Sequence, residues 1–232
     1  MNAKTILSLT VLSAVTAASA AVTTDNTLCR IEVASGTKNT IVAVPLKTIA
    51  GTDETIKLTD LVLTDNLSVG DHILHKKGTS WEAWAVNDSN NWEAMPVSDD
   101  GITTVTGTDS EMPRGDAFWL VRKDATKSFY LYGEVIDTKA ADLTIGSGYT
   151  MMGNTALEPV AINSITFNGT PKTGDKIAIA TTKGIGAKEY TYNGTEWTEA
   201  TLALDANGVL RPTVTKTAAT IPAGQGFWYI SK

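Results

Sequence analysis

Two distant stretches of this chain carry the same pattern of turn and aromatic residues. Residues 112–123 read MPRGDAFWLVRK and residues 221–232 read IPAGQGFWYISK, which share Pro, Gly, Phe, Trp and Lys at matching places. Upstream, residues 56–73 align without a gap with residues 160–177, and both contain Gly-Asp-x-Ile. The aromatic matches between these anchors are Trp84 with Tyr190 and Trp92 with Trp197. Anchors that recur in the same order predict an internal duplication.

The segments between the anchors predict strands. Short runs rich in Thr, Val and Ile alternate apolar with polar residues and are interrupted by Asn-Gly, Asp-Gly and other glycine-containing turns, which is typical of antiparallel sheets. We therefore expect an all-β fold of two tandem duplicated units. Each unit is expected to be an antiparallel β-sandwich or a barrel-like sheet. The expected divisions are a signal peptide at 1–20, a leader with a candidate donor strand at 21–38, β unit 1 at 39–137, a linker at 138–146 and β unit 2 at 147–232.

The N-terminus has the plan of a secretory signal peptide. Lys4 precedes an apolar run, 5–17, and the small residues 18–20 form a cleavage site. Neither this run nor any later one reaches the length that a membrane-spanning helix needs. We expect a secreted protein of the extracellular space or cell envelope without membrane insertion. The net charge of −6 disfavours nucleic acid and anionic lipid as partners, since both bind basic surfaces.

The two copies end differently, and this difference predicts a missing strand. After its Phe-Trp strand, copy one returns through residues 129–137, FYLYGEVID, whereas copy two stops at Lys232. We expect an open edge there, which a soluble protein must cover. Residues 27–35, TLCRIEVAS, resemble the absent return strand and share its Glu-Val pair. The expected assembly strand comprises Leu28, Cys29, Ile31 and Val33, and the expected acceptor edge comprises Phe227, Trp228, Tyr229 and Ile230.

Such a strand could fill the edge in two ways. Within one molecule it closes the fold, whereas between molecules it produces a head-to-tail homopolymer, because a contact that does not close on itself extends as a filament. The sequence leaves both alternatives open. Cys29 is the only cysteine, and we expect it to be a buried, inert thiol, with pairing between molecules as the alternative.

Three residues are candidates for ligand contact. Arg114 and Asp116 flank Gly115 in an Arg-Gly-Asp tripeptide, a sequence that adhesion receptors bind in other proteins. The matching places in copy two hold Ala-Gly-Gln, so only the glycine recurs, and the turn requirement explains it. Trp81 has no aromatic counterpart in copy two and is therefore the best candidate for stacking on a glycan.

No catalytic or metal-binding pattern emerges. His72 and His75 lie three residues apart on a predicted strand, so they point to opposite faces and cannot share a metal or a proton; we expect both at the surface. Asp71 and Asp175 each follow a glycine, and a side chain that bonds its own turn accounts for them. We expect a protein that is not an enzyme and has no cofactor.

The unit pattern, Gly-Asp-x-Ile, an aromatic hairpin ending in Trp, then Pro-x-Gly-x-x-Phe-Trp, resembles that of a loosely defined group of exported bacterial β-repeat proteins. The resemblance covers most of residues 39–232. It implies an envelope or extracellular setting and no established catalytic residue. We expect a non-enzymatic surface or matrix protein that acts by self-association or display, with a carbohydrate-binding or adhesion module as the alternative.

Overall fold

A computed structural model describes residues 28–33, 39–47, 55–57, 67–77, 80–95, 111–124, 126, 128–135, 143–180 and 187–232. The predicted signal peptide, 1–20, lies outside these residues. In the described part, the chain consists of strands, labelled β1 to β20 in chain order, and one 3-10 turn at Ile162–Ser164. Most strand pairs are antiparallel, which confirms the predicted all-β fold class.

The first sheet has five strands in the order β2-β9-β5-β6-β7. The strand that carries Phe118 and Trp119 lies between the leading strand and the strand that follows Gly-Asp. The strands are β2 (Asn39–Ala43), β5 (His72–Lys77), β6 (Ser80–Val86), β7 (Trp92–Ala94) and β9 (Ala117–Val121).

The second sheet has six strands in the order β12-β20-β15-β16-β17-β18. Its first five strands follow the order of the first sheet, with the Phe227-Trp228 strand again between the leading strand and the Gly-Asp strand. The strands are β12 (Tyr149–Gly153), β15 (Lys176–Ala180), β16 (Ala187–Tyr192), β17 (Trp197–Leu204), β18 (Leu210–Lys216) and β20 (Gly226–Ile230).

Smaller sheets complete the fold. One sheet has three strands in the order β1-β10-β3. Three further sheets have two strands each: β4 with β8, β13 with β19, and β11 with β14, of which the last pair is parallel. The bounds are β1 (Leu28–Val33), β3 (Leu46–Lys47), β4 (Thr55–Lys57), β8 (Glu111–Pro113), β10 (Phe129–Val135), β11 (Leu143–Thr144), β13 (Val160–Ala161), β14 (Phe167–Asn168) and β19 (Thr220–Ile221).

Each large sheet covers its own apolar core. The aromatic residues that the predicted repeat aligns are buried there, as packing of a sheet face requires: Trp84, Trp92 and Phe118 in the first core, and Tyr190, Trp197 and Phe227 in the second. Leu143, predicted to lie in the linker at 138–146, is buried in the second core. Residues 143 and 144 therefore belong to the second core's structure as strand β11 and not to a linker.

The predicted destination of the N-terminal strand is wrong. Strand β1 pairs along its whole length with β10, from Leu28 opposite Glu134 to Val33 opposite Phe129. Cys29 and Ile31 are buried in the first core. Strands β1 and β10 thus lie side by side, and both direct alternate apolar residues toward the same core.

The predicted open edge of the last strand is also wrong. Strand β20 pairs with β12 over five residues, from Gly226 to Ile230, and its other edge pairs with β15 at Trp228 to Ile230. Phe227 and Tyr229 point into the second core and are fully buried. The edge is filled by strands of the same sheet, so it has no vacancy for a donor strand.

Two carboxylates, Asp71 and Asp175, tie the Gly-Asp turns to the end of the Phe-Trp strands. Each carboxylate accepts a hydrogen bond from a backbone N–H of its own turn, as predicted. Each also accepts a second hydrogen bond, from the backbone N–H of the lysine two residues after the Phe-Trp strand. The donors are Ser68 and Lys123 for Asp71, at 2.9 and 2.7 Å, and Lys172 and Lys232 for Asp175, at 2.8 and 3.0 Å. The Tyr229 hydroxyl also donates to Asp175.

The two sheets contact each other through two matched sets of backbone contacts. The N–H of Ala43 donates to Gly224 O at 2.9 Å, and the N–H of Gly153 donates to Gly115 O at 3.0 Å. Both acceptors lie in Pro-x-Gly turns, where a positive φ of 71° and 98° favours glycine. Small side chains let the backbones approach this closely. The side chains around this contact are Ile41, Trp81, Ala117, Trp119, Met151 and Trp228.

Candidate association surface

The hairpin of β17 and β18 extends beyond the second sheet. Strand β17 pairs with β16 at Trp197 and Thr198, whereas β17 and β18 pair from Thr198 opposite Lys216 to Leu204 opposite Leu210. Past Thr198 the structure is therefore a two-stranded ribbon. A ribbon of this kind is marginally stable in water unless one face packs against another element.

One face of this ribbon is apolar and uncovered. Residues two apart on a strand share a face, and cross-strand partners share it too. This rule places Ala200, Leu202, Leu204, Leu210, Pro212 and Val214 together, a set that we call the apolar hairpin face. Leu202, Leu204, Leu210 and Val214 are 69, 68, 60 and 63 % exposed. Most of the strongly exposed large apolar residues in the described chain lie in this one hairpin.

The opposite face of the ribbon is polar and its charges are paired. Lys188 lies 2.7 Å from Glu199, and Arg211 lies 2.7 Å from Asp205. Thr201 donates its hydroxyl to the backbone of Thr213. The ribbon is thus amphipathic, and its polar face is suited to water while its apolar face is not.

The turn at the tip is rigidly specified. Asp205 accepts the N–H groups of Asn207 and Val209, each at 2.9 Å, and Gly208 has a φ of 74°. The ion pair with Arg211 and these backbone donors hold the pKa of Asp205 below its ordinary value. Residues 205–208 therefore form a turn. This turn fixes the register of the hairpin, because turn geometry determines which residues face each other.

The Arg-Gly-Asp tripeptide is engaged within the molecule. Arg114 donates from a guanidinium nitrogen to Thr155 O at 3.4 Å, and an Asp116 carboxylate oxygen lies 3.1 Å from His75 Nε2. Gly115 accepts the N–H of Gly153 from the second sheet. The tripeptide therefore forms part of the contact between the two sheets, as its turn position favours.

Trp81 also faces the second sheet. Its ring lies edge-on to Trp228 with centroids 6.1 Å apart, and Trp228 also lies edge-on to Tyr149 with centroids 6.2 Å apart. Trp81 and Trp228 are partly buried against Ile41, Ala117 and Met151. The Trp81 indole is thus occupied by packing between the sheets.

His75 departs from the expectation that both histidines lie at the surface. It is 2 % exposed, and its ring lies between Asp116 and Glu82, with Nδ1 at 3.7 Å from the Glu82 carboxylate. His72 is half-buried, with Nδ1 at 3.2 Å from Gly70 O. The strand places the two rings on opposite faces, as predicted, and in the described part of the chain no group of His, Cys, Asp or Glu is arranged to hold a metal ion.

Cys29 is a free, buried thiol in the described structure, as predicted. Burial raises the pKa of the thiol, and a hydrogen bond with the backbone of Arg30 opposes the rise only in part. A thiol that stays protonated reacts slowly. Searched over the same described residues, the structure contains no helix with the length and apolarity to cross a membrane.

Sequence reasoning missed the apolar hairpin face because Pro212 interrupts the run of β18. Proline inside an apolar run argues against a central strand, yet an edge strand tolerates it. The signal was present in the turn Asp205-x-Asn207-Gly208 with alternating apolar residues on both sides, which is typical of a hairpin.

The chain was compared with protein-family models, with curated proteins and with solved structures. None of the three comparisons found a match.

Proposed function

We propose that the protein is a secreted, non-enzymatic structural protein of the cell surface or extracellular matrix and that it acts by self-association. The observation that supports this function best is the apolar hairpin face, whose four large aliphatic side chains are 60–69 % exposed. Contiguous apolar patches of this kind mark interaction sites on soluble proteins. The surface for association thus differs from the N-terminal strand that the sequence suggested.

The chemistry of the hairpin favours a protein partner. The face presents aliphatic carbons in a flat, two-stranded array, and it lacks the aromatic side chains that stack on sugar rings. Trp81, the indole predicted to stack on a glycan, packs against Trp228 instead. We therefore place association ahead of glycan binding.

Sedimentation velocity tests this function directly. The chain without residues 1–20 would be measured from low micromolar to near-millimolar concentration at physiological salt. We expect the weight-average sedimentation coefficient to rise with concentration, because apolar burial at a modest surface gives weak, reversible association. A single monomer boundary at every concentration, together with binding to a polysaccharide panel, would replace this function with the carbohydrate-binding alternative.

A further inference from the structure

The hairpin offers two surfaces to a partner, its free edge and its apolar face. At the two ends of the hairpin, the N–H of Asp205 donates to Val209 O and the N–H of Thr217 donates to Trp197 O. These residues are therefore opposite each other in hydrogen-bonded pairs. Such pairs alternate with non-hydrogen-bonded ones in an antiparallel ladder. Leu202 and Pro212 therefore form a non-hydrogen-bonded pair, and the backbone of Pro212 is directed away from β17 toward the free edge.

Pro212 blocks pairing at this edge. A strand that docked there would need outward-directed N–H groups along β18, and proline has none at the middle of the strand. Proline on an edge strand is a recognised protection against edge-to-edge aggregation. Addition of a strand along β18 is thus disfavoured, which favours the apolar hairpin face as the surface of contact.

The composition of the face restricts the partner. None of its six residues is charged. The charged residue of the ribbon on the same face is Lys216, opposite Thr198 at the base of the hairpin, and it pairs with Glu196 at 3.1 Å. Glu199 and Arg211 lie on the opposite face in ion pairs. The chain as a whole carries a net charge of −6, so copies repel each other in general. Contact through the six uncharged residues, with the Lys216 charge balanced by Glu196, keeps this repulsion out of the contact and makes a second copy a suitable partner.

The area of the face sets the expected strength. A fully exposed Leu or Val side chain carries roughly 60–120 Å² of apolar surface. Allowing for the exposed fractions, the four large side chains of each face bury, over two faces, on the order of 300–600 Å², below the standard interface of about 1,600 Å². The contact is therefore weak and reversible in solution.

We propose that two copies of the chain associate by packing their apolar hairpin faces against each other, sheet face on sheet face. This rests on the proposed function of self-association and names its partner and geometry. Because the same surface is used on both copies, the contact is isologous and closes as a two-fold dimer. The hairpins alone then produce dimers and not the filament that strand donation would have produced.

Paired lysine variants test the proposal. Leu202→Lys/Val214→Lys places charges on the apolar face, at diagonal positions that are 69 and 63 % exposed, so the fold should be retained. Thr201→Lys/Thr215→Lys is the matched control at diagonal, exposed positions of the polar face. Both variants make the net charge less negative, so general repulsion falls equally. We expect the first to raise the dimer dissociation constant at least tenfold and the second to leave it within about twofold, since one buried unpaired charge costs more than 1.4 kcal/mol.

A cross-linking measurement locates the contact. Leu202→Cys should give a covalent dimer with a short bismaleimide, whereas Thr201→Cys on the opposite face should not; the buried Cys29 is a poor competitor. Thermal melts of all variants confirm folding before association is compared.

The outcomes separate this proposal from the function on which it rests. If the wild-type chain associates and both lysine variants associate equally well, the hairpin contact is wrong while self-association stands. If the wild-type chain is monomeric throughout, both fail. If it is monomeric but floats with phosphatidylcholine vesicles, and Leu202→Lys/Val214→Lys does not, the face binds lipid and the second-copy proposal is overturned.

Discussion

Replacement of Asp175 by alanine is expected to lower the free energy of unfolding by about 3–5 kcal/mol. The change leaves several hydrogen-bond donors without their acceptor, and each unpaired donor costs about 1–3 kcal/mol. Asp175 is 1 % exposed and accepts the N–H groups of Lys172 and Lys232 and the hydroxyl of Tyr229. The Tyr229 ring is itself fully buried in the second core. Chemical denaturation followed by tryptophan fluorescence measures the loss.

The matched control is Asp205→Ala. Asp205 also accepts hydrogen bonds from two backbone N–H groups and from the Arg211 guanidinium. It lies in an exposed turn where water can replace it, so we expect a much smaller loss than at Asp175. Equal losses at the two positions would contradict the role of burial at Asp175.

The same carboxylate predicts a pH dependence. Burial opposes ionisation of Asp175, but the hydrogen bonds from Lys232, Tyr229 and Lys172 outweigh it and hold its pKa below the ordinary value. Because the pKa of Asp175 is lower in the folded state, the unfolded chain binds a proton at this carboxylate more readily. The stabilisation of the fold is therefore present above about pH 4 and is lost as the pH falls from there through the native pKa. The stability difference between wild type and Asp175→Ala should therefore shrink below about pH 4.

Gly153→Ala is expected to be the second most damaging change, since it forces the two sheets apart. A Cβ at Gly153 would lie 2.1 Å from the Ala43 Cβ and 2.7 Å from its Cα. The Cα cannot move without strand β2, and β2 is held by its ladder with β9. We expect a loss of about 2–3 kcal/mol, typical of an overpacked site, measured by denaturation.

Two further variants make this result specific. Ala43→Gly in the Gly153→Ala background removes the closest atom and should restore part of the stability, which a double-mutant cycle quantifies. Gly148→Ala, where no atom lies within 4 Å of the new Cβ, should cost only the strain of its positive φ, about 1 kcal/mol. If Gly148→Ala is as damaging as Gly153→Ala, close approach of the sheets is not the cause.

Much of the fold follows from periodicity and turns. Strands β9 and β20 have the bounds that the Pro-x-Gly-x-x-Phe-Trp pattern predicts, because the turn fixes where each strand begins. The alternation of residues 161–167 predicts a strand there, and this prediction is wrong. Residues 162–164 form a 3-10 turn, and the N–H of the buried Ile162 donates to Ala219 O. Alternation alone does not distinguish a strand from an extended segment with a local turn.

Partner choice between strands could not be read from the sequence. The apolar positions of β1 fit either sheet, since alternation determines which face is buried but not which edge is joined. The vacancy at β20 was inferred from an absent return strand, whereas β12 and β15 fill both of its edges. The repeat itself stays a prediction, although the strand orders and the matched contacts of Ala43 and Gly153 agree with it.

The site was the least predictable part, for a physical reason. Exposure of an apolar face depends on where the neighbouring strand stops, and β16 stops pairing at Thr191, opposite Thr198. The sequence of the hairpin does not determine where β16 stops pairing with β17, because this depends on the path of β16. His75 shows the same limit, because its burial depends on Asp116 from a distant turn.

The most direct test of the association surface is hydrogen–deuterium exchange of the wild-type chain at concentrations below and above its association midpoint. The account predicts that backbone amides of β17 and β18 exchange more slowly at high concentration, because packing of the apolar face suppresses opening of the ribbon. Amides of the central strands β15 and β20 should not change. Unchanged exchange in the hairpin, with protection appearing instead in β1 or nowhere, would contradict it.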